Sequence, residues 1–293
     1  MPAFPRSVAL RLLRRAAVAG GAALAARVAY RALTSRPPGG EKTWARTNHR
    51  GEPVTLLEGP AAALGAGTAL ALVPGLPARL RLAGVLCAAG TAGVGAFDDL
   101  AGSGDSRGFR GHLGALARGE VTTGMVKIAG IGVVGLATSA LVHRKPVDVL
   151  LGGMFVAAGA NLVNLFDLRP GRALKVVLLH TPAVIAGPDV AGDMAAAPIG
   201  AAAGLVGVDL DEQAMLGDSG ANALGALLAL AATAGLSRRA RVVLLLGAVG
   251  LTAASELVSF TRVIERTPPL RALDELGRRP RDEEPPAEPT GAL

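Results

Sequence analysis

Long apolar runs separated by short polar segments are the feature that most constrains what this chain can fold into. The runs lie near 16–32, 60–76, 82–97, 120–142, 148–165, 173–187, 191–208, 220–236 and 241–260. A helix needs about 20 predominantly apolar residues to cross the hydrocarbon core of a bilayer, and several runs are somewhat shorter. Many are rich in Ala and Gly, which allow helices to approach closely in lipid. The pattern predicts an all-α fold, a polytopic transmembrane bundle of about nine spans, with eight or ten as alternatives.

The composition excludes several other classes of protein. Apolar residues make up 51% of the chain and charged residues 18%, whereas ordinary soluble chains are about 25% charged. This apolar content excludes disorder for most of the chain, and a single cysteine, Cys87, excludes a disulfide scaffold. The net charge of +7 is spread between the apolar runs, and aromatic residues make up only 3%. We therefore expect the basic residues to face membrane surfaces and not to bind nucleic acid.

The loops alternate between the two sides of the membrane if there are nine spans. One side holds residues 31–59, 98–119, 166–172, 209–219 and 261–293. This side carries more Lys and Arg, so we predict that it is cytoplasmic in a bacterial plasma membrane, with the N-terminus outside. No convincing cleavage site follows the first run, which favours an anchor over a signal peptide. The predicted organisation is a transmembrane domain at 1–260, a cytoplasmic juxtamembrane segment at 261–280, with a short basic helix at 262–279, and a disordered tail at 281–293.

Four polar clusters fall on this predicted cytoplasmic side, although none was used to count the spans. They are Asn48–Gly59, the pair Asp98 and Asp99, Asn161–Asp167, and Gly217–Gly220. The aspartate pair ends the third run, where two carboxylates oppose the helix dipole by about 0.3–1 kcal/mol each. A bound cation would relieve this repulsion. The alternative is a span end that is simply solvated.

Two amides and a carboxylate lie at the end of the fifth run. Asn161, Asn164 and Asp167 form N-x-x-N-x-x-D, which places them within about 120° of arc on one helix face. Such groups are costly on an apolar helix unless they find partners. They either contribute to a binding site or form hydrogen bonds to neighbouring helices.

Asp218 and Lys127 complete the set of candidate residues. Asp218 lies in M-L-G-D-S-G just before the eighth run, where it could cap a helix, bind a metal ion or do both. Lys127 lies near one end of the fourth run, where it could extend to the membrane surface or bind phosphate. Carboxylates, amides and a lysine at one membrane face suit Mg²⁺ and phosphates. The histidines share no zinc-binding spacing, and neither common nucleotide-binding glycine motif is present.

The ordered set resembles a known family, the polyprenyl-phosphate N-acetylhexosamine-1-phosphate transferases. This family includes phospho-N-acetylmuramoyl-pentapeptide transferase and is known as the MraY/WecA type, or glycosyltransferase family 4. Four elements between about 48 and 225 carry the resemblance, in the family's order. They are N-H-R-G-E-P-V at 48–54 with Gly59, the pair Asp98-Asp99, Asn161-x-x-Asn164-x-x-Asp167, and Gly217-Asp218-Ser219-Gly220.

The resemblance implies a membrane enzyme of cell-envelope biosynthesis, as in peptidoglycan assembly. Such an enzyme transfers a sugar-1-phosphate from a UDP-N-acetylhexosamine-type donor to polyprenyl phosphate, such as undecaprenyl phosphate, with Mg²⁺ as cofactor, and releases UMP. Its partners would be the lipid, the UDP-sugar and the membrane. A second copy of the chain, forming a homodimer, is a further possible partner. The resemblance implies that Asp98 and Asp99 deprotonate or position the lipid phosphate and that Asp167 is a catalytic carboxylate. It also implies that Asp218 is the Mg²⁺ ligand. The implied substrate-binding residues are Lys127, Asn161 and Asn164.

The chain departs from the family's pattern at two places. The family's Asp-Gly after N-x-x-N-x-x-D is replaced by D-L-R-P-G at 167–171, and the family's late His-rich loop by S-F-T-R-V-I-E-R-T-P-P-L at 259–270. The missing loop favours a second hypothesis, a family-derived protein that binds the lipid carrier or acts as a scaffold without catalysis. A third hypothesis is a transporter, whose site would lie near the membrane midplane and not at span ends.

Overall fold

The protein is mostly helical in a computed structural model that describes residues 6–102 and 122–280. Helix accounts for 78% and strand for 3%, which confirms a helical fold class. The helices of the described residues are α1 (Arg6–Ser35), α2 (Glu41–Trp44), α3 (Glu58–Leu72), α4 (Ala78–Ala101), α5 (Thr123–Val142), α6 (Pro146–Phe166), α7 (Arg172–Leu178), α8 (Thr181–Ala186), α9 (Asp189–Leu210), α10 (Gly217–Gly235), α11 (Arg238–Ser255), α12 (Phe260–Arg266) and α13 (Pro268–Glu275). Strands β1 (Ala45–Thr47) and β2 (Pro53–Thr55) form an antiparallel hairpin in which Arg46 lies opposite Val54. The predicted disordered tail at 281–293 lies outside the described residues.

Four of the described helices, α4, α5, α6 and α9, are long and apolar enough to cross a membrane. A fifth candidate arises if α11 and α12, which meet at a bend of 91°, count as one broken span. Several apolar spans are thus present, but the prediction of about nine is not confirmed. The run at 60–76 corresponds to α3, which has only 15 residues. The run at 173–187 is two short helices, α7 and α8, because Pro182 in the first turn of α8 suits a new helix start.

Small residues let the central helices touch backbone to backbone. A Cβ atom added to Gly200 on α9 would lie 2.1 Å from the carbonyl oxygen of Ala19 on α1, so only glycine fits there. Four residues along α9, the carbonyl oxygen of Gly204 accepts a hydrogen bond of 2.8 Å from Arg27 Nε. The arginine inside the first apolar run therefore has a partner on the neighbouring helix. The predicted use of Ala and Gly for close packing agrees with this arrangement.

Buried ion pairs tie the helices together at one end of the bundle. Asp193, near the start of α9, contacts Arg14 and Arg15 of α1. Asp148, near the start of α6, contacts Arg238 at 2.6 Å and Arg241 at 2.8 Å, both on α11. Since α6 and α9 both begin at this end, their last residues lie at the opposite end, where the predicted polar clusters also lie.

The C-terminal helices are fastened to α7 by an almost fully buried ion pair. Arg172 donates to both carboxylate oxygens of Asp274, at 2.7 and 2.9 Å, and Lys175 Nζ donates to the carbonyl oxygen of Asp274 at 2.6 Å. Burial would raise the pKa of the Asp274 carboxyl, but hydrogen bonds and positive charge from Arg172 outweigh it, so the pKa lies below its usual value. The basic helix predicted at 262–279 is therefore two helices, α12 and α13, and the second is clamped to the bundle.

Replacing Asp274 with asparagine is expected to loosen α13. Arg172 would keep its buried guanidinium but lose a charged partner, and removing one member of a buried ion pair costs about 3–5 kcal/mol. Hydrogen–deuterium exchange of residues 268–275 should therefore accelerate strongly. Glu275→Gln is the matched control, because its pair with Arg271 is exposed and worth about 0.3–0.5 kcal/mol. Equal exchange in both variants would contradict the clamp.

Candidate functional site

Lys127 lies between two of the predicted carboxylates. Its Nζ is 2.6 Å from Asp98 Oδ2 and 2.5 Å from Asp218 Oδ2. The side chains of Asp98, Lys127 and Asp218 are 14%, 19% and 19% exposed. The two carboxyl groups also lie within hydrogen-bonding distance of each other. Two carboxylates this close repel unless positive charge or a proton lies between them, so the ammonium group of Lys127 holds the cluster together.

Asp99 holds the start of α10 in place. Its Oδ1 accepts a hydrogen bond from the backbone N–H of Asp218 and its Oδ2 from that of Ser219, each at 2.9 Å. The first N–H groups of a helix have no partner within the helix, and negative charge there is favourable. The local alternative that Asp218 caps its own helix is therefore wrong, because the cap comes from Asp99 on α4. Asp98 therefore contacts Lys127, whereas its neighbour Asp99 contacts the start of α10. Adjacent residues on a helix point about 100° apart, which allows these separate contacts.

The glycine of G-A-F-D-D brings α4 against α10. A Cβ atom on Gly95 would lie 2.4 Å from the carbonyl oxygen of Asp218 and 2.6 Å from the backbone nitrogen of Ser219. No side chain fits in that gap. Gly95 therefore sets the separation at which the carboxyl group of Asp99 reaches the start of α10.

Asp167 follows the last residue of α6 and lies beside the same helix start. Its carboxyl group accepts a hydrogen bond from the backbone of Gly217. Burial, and then the negative charges of Asp209, Asp218 and Asp99, raise the pKa of the Asp167 carboxyl well above its usual value. Four of the predicted site residues, Asp98, Asp99, Asp167 and Asp218, thus gather around the start of α10.

The two asparagines of N-x-x-N-x-x-D are placed differently. Asn161 Nδ2 donates a hydrogen bond to Thr252 Oγ1 of α11 at 3.0 Å. Of the two alternatives for this residue, the structure thus shows the hydrogen bond to a neighbouring helix. Asn164 contributes its carbonyl oxygen, which accepts from the backbone N–H of Asp167 at 3.0 Å. Its side chain makes no hydrogen bond to the residues that the structure describes. Their predicted roles in substrate binding stay predictions.

Three buried acidic residues also belong to this end of the bundle, and none of them was named as a site residue from the sequence: Glu58, Asp209 and Glu212. Glu58 at the start of α3 is 0% exposed, and neither of its carboxylate oxygens has a hydrogen-bond partner within residues 6–102 and 122–280. It interacts electrostatically with Asp167 and with Asp209, whose Oδ2 accepts from Gly171 N at 3.0 Å. A glutamate at the beginning of an apolar run, in T-L-L-E-G-P, was the signal that could have identified it.

The N-H-R-G-E-P-V segment is held beside the cluster by another of these buried acids, Glu212. Asn48 Nδ2 donates to Glu212 Oε2 at 2.9 Å, and Arg50 Nε donates to Glu212 Oε1 at 3.0 Å. The hairpin also joins the segment before α10, because Met215 N donates to Thr55 O at 2.9 Å. All four predicted polar clusters therefore meet at one end of the bundle.

A cavity of about 640 Å³ lies next to this arrangement and is lined largely by charged residues. Five arginines line it: Arg50, Arg169, Arg271, Arg278 and Arg279. Three glutamates, Glu212, Glu265 and Glu275, reduce but do not cancel their charge. Arg169 lies two residues beyond Asp167, so the cavity adjoins the segment that carries the catalytic candidate. The segments that depart from the family's pattern contribute Arg169 and Glu265 to this lining.

The predicted Mg²⁺ would need oxygen ligands from the carboxylates of this cluster. Within the described residues, no group of three or more His, Cys, Asp or Glu side chains is arranged to hold a metal ion. Mg²⁺, however, is usually bound by one or two carboxylates with water and substrate phosphates completing its shell. Asp98 and Asp218 reach this smaller number of carboxylates, but the point on which both converge is occupied by Lys127 Nζ, at 2.6 and 2.5 Å. Mg²⁺ binding by this pair therefore stays a prediction.

These observations define a mostly helical protein with several helices apolar enough to span a membrane and a carboxylate–lysine cluster at one end of its bundle. The sequence matches no protein-family model, and no curated protein is significantly similar to it. The family resemblance therefore rests on the four motifs themselves.

Proposed function

We propose that this protein is a membrane transferase that moves a sugar-1-phosphate from a UDP-N-acetylhexosamine-type donor to polyprenyl phosphate and releases UMP. The observation that carries the proposal is the convergence of Asp98, Asp99, Lys127, Asp167 and Asp218 at one end of the bundle. These residues come from the ends of four helices that are far apart in sequence. Span ends that were merely solvated would have no reason to meet around one lysine.

The chemistry of the cluster suits transfer between two phosphates. A phosphate oxygen of the lipid forms a bond to the sugar-linked phosphorus, the diphosphate P–O bond breaks, and UMP leaves with the bonding electrons. A bound Mg²⁺, held by Asp98 and Asp218, would neutralise phosphate charge during this displacement. Lys127 would bind a phosphate oxygen, and Asp167 would accept a proton from the lipid phosphate. Asp99 is a positioning residue, because both of its carboxylate oxygens are engaged by α10.

The arginine-lined cavity supports a phosphorylated donor. Its volume of about 640 Å³ falls within the usual range of roughly 300–1,000 Å³ for small-molecule sites. Arginine binds phosphate oxygens in a fixed, two-pronged geometry. The diphosphate of a nucleoside diphosphate sugar in this cavity would lie among these arginines. The excess of basic residues on this side supports a cytoplasmic location for the cluster, facing the donor, in a bacterial plasma membrane.

A non-catalytic lipid-carrier-binding or scaffold protein is the second candidate function. The family's His-rich loop is replaced here by α12 and α13, and the Arg172–Asp274 pair clamps the second of these to α7. Such a clamp could fill space that a donor needs. The two functions share lipid binding and differ in turnover.

Release of UMP by the purified protein tests the proposed function. UDP-N-acetylglucosamine and UDP-N-acetylmuramoyl-pentapeptide would be supplied in turn with polyprenyl phosphate and Mg²⁺ in detergent. We expect lipid- and Mg²⁺-dependent UMP release that disappears in the triple variant Asp98→Asn, Asp167→Asn, Asp218→Asn. Full activity in the triple variant would overturn the site assignment. No release from folded protein that binds polyprenyl phosphate would favour the scaffold function.

A further inference from the structure

The helix α13 turns its polar side toward the protein and leaves an apolar side exposed. Asp274 contacts α7, and Glu275 lines the arginine-lined cavity. A different side of the helix carries Leu270 and Leu273, both exposed, and Leu276, directly after the helix, is 66% exposed. A surface helix ordinarily packs its apolar side against the protein core. The apolar side of α13 therefore needs another apolar environment.

The exposed apolar side continues onto α12 and the bend before it. Leu257 and Val258 in the bend are exposed, and so is Val263 on α12. Arg262 and Arg266 share about 100° of arc with Val263. Both arginines are exposed, and neither side chain has an ion pair or hydrogen bond within the part of the chain that the structure describes. The α12–α13 surface thus consists of Leu257, Val258, Arg262, Val263, Arg266, Leu270, Leu273 and Leu276.

The bend between α11 and α12 determines how this surface would lie against a bilayer. The helix α11 has 18 residues and is therefore about 27 Å long, close to the roughly 30 Å of a hydrocarbon core. It leaves Val243, Leu246 and Val249 exposed, as a helix that faces lipid would. With α11 across the bilayer, a bend of 91° places α12 along the membrane surface. The exposed side chains of the bend join the apolar surfaces of the two helices.

We propose that the α12–α13 surface docks on the membrane surface and prefers anionic lipid. The partner must accept apolar side chains and also supply negative charge to Arg262 and Arg266. A bilayer with acidic headgroups does both, because apolar side chains enter the boundary of the acyl chains while long basic side chains reach the headgroups. A second copy of the chain docked through the same surface would instead bury four arginines without acidic partners, which is costly.

Docking on lipid would also fix one wall of the arginine-lined cavity. Glu265 of α12 and Arg271 of α13 line this cavity, on other sides of the helices that carry the apolar residues. The composition of the membrane would thereby influence the cavity. The proposal itself concerns a lipid surface and goes beyond the proposed function, because no step of the transfer reaction is needed for it.

Fluorescence quenching by lipid tests whether this surface enters the bilayer. Val263→Cys and Leu273→Cys would each carry a small fluorophore in nanodiscs that contain nitroxide-labelled phospholipid. Cys87, the single natural cysteine, is fully buried, and the unchanged protein reports any labelling of it. Glu265→Cys is the matched control, since it lies on α12 but lines the cavity. We expect strong quenching at Val263 and Leu273 and little at Glu265.

Anionic lipid tests the role of the two arginines. Quenching would be compared in nanodiscs of phosphatidylcholine alone and of equal parts phosphatidylcholine and phosphatidylglycerol. Each basic residue near an anionic surface contributes about 1 kcal/mol, so replacing Arg262 and Arg266 with glutamine should weaken docking by about 30-fold. Quenching in anionic discs should then fall to its level in neutral discs. Replacing the exposed Arg144 and Arg239, at the opposite end of the bundle, is the charge-matched control and should change nothing.

Three outcomes would contradict the proposal. Quenching no stronger at Val263 and Leu273 than at Glu265 would show that the surface does not enter lipid. Equal quenching in neutral and anionic discs, or no effect of the arginine replacements, would refute the preference for anionic lipid. Disulfide formation between copies through the introduced cysteines would identify a second copy as the partner. UMP release enters none of these measurements, so failure of the transferase proposal would leave this one intact.

Discussion

Replacing Asp218 with asparagine is expected to lower Mg²⁺-dependent UMP release by about 10²- to 10³-fold, the usual loss when one electrostatic contact to a transferring group is removed. The change is nearly isosteric and removes one of the two charges that converge on Lys127 Nζ. The single remaining carboxylate, on Asp98, would bind Mg²⁺ more weakly than two carboxylates do. We therefore expect the residual activity to need a higher Mg²⁺ concentration for half-maximal rate. The measurement is the UMP-release rate across a Mg²⁺ titration.

Asp189→Asn is the matched control for this prediction. Asp189 lies at the opposite end of the bundle, its side chain is 59% exposed, and its pair with Arg11 is a surface contact worth little. Its rate and Mg²⁺ dependence should equal those of the wild type. Circular dichroism should show the same helical content for both variants. A wild-type rate in Asp218→Asn would remove Asp218 from the site.

Replacing Gly95 with alanine is expected to damage both stability and activity. The added methyl group would meet the backbone of Asp218 and Ser219 at 2.4–2.6 Å, and backbone cannot move aside as a flexible side chain can. Overpacking of this kind typically costs about 1–3 kcal/mol. Separating α4 from α10 would also withdraw Asp99 from the start of α10, and a displacement of 1 Å can cost about 100-fold in rate. Thermal unfolding in detergent and UMP release would be measured together.

Gly132→Ala on α5 is the matched control for Gly95→Ala. It replaces a helical glycine with alanine without a steric clash, so it distinguishes the effect of the clash from that of the glycine-to-alanine change itself. A Cβ atom there meets nothing within 4 Å, and alanine is favoured over glycine within a helix by about 0.5–1 kcal/mol. We expect unchanged or slightly raised stability and unchanged activity in this variant. If Gly95→Ala behaved in the same way, the close approach of α4 and α10 would not be required for the site.

Much of the site could be predicted from the sequence because charged groups in apolar helices are costly and therefore stand out. The Asp98-Asp99 pair, Asp167 and Asp218 were predicted to lie on the same side of the membrane. The structure brings them together with Lys127 at one end of the bundle. The predicted count of nine spans was not confirmed, because apolar content alone does not distinguish a spanning helix from shorter packed helices such as α3, α7 and α8. Glu58 lies within the predicted cluster Asn48–Gly59 but was not named as a site residue, because its position before an apolar run is its only signal and no second polar residue at helical spacing supports it.

The sequence by itself determined the helical class, the apolar character of the long helices and the chemical types available at one end of the bundle. These properties follow from local composition and from the distance between charged residues along a helix. Only the tertiary structure decided which aspartate does what: Asp99 binds the start of α10, while Asp98 and Asp218 share Lys127. The tertiary structure also decided where the arginine-lined cavity lies. The physical reason is that these contacts join residues far apart in the chain, and their geometry depends on the helix separation permitted by glycines such as Gly95.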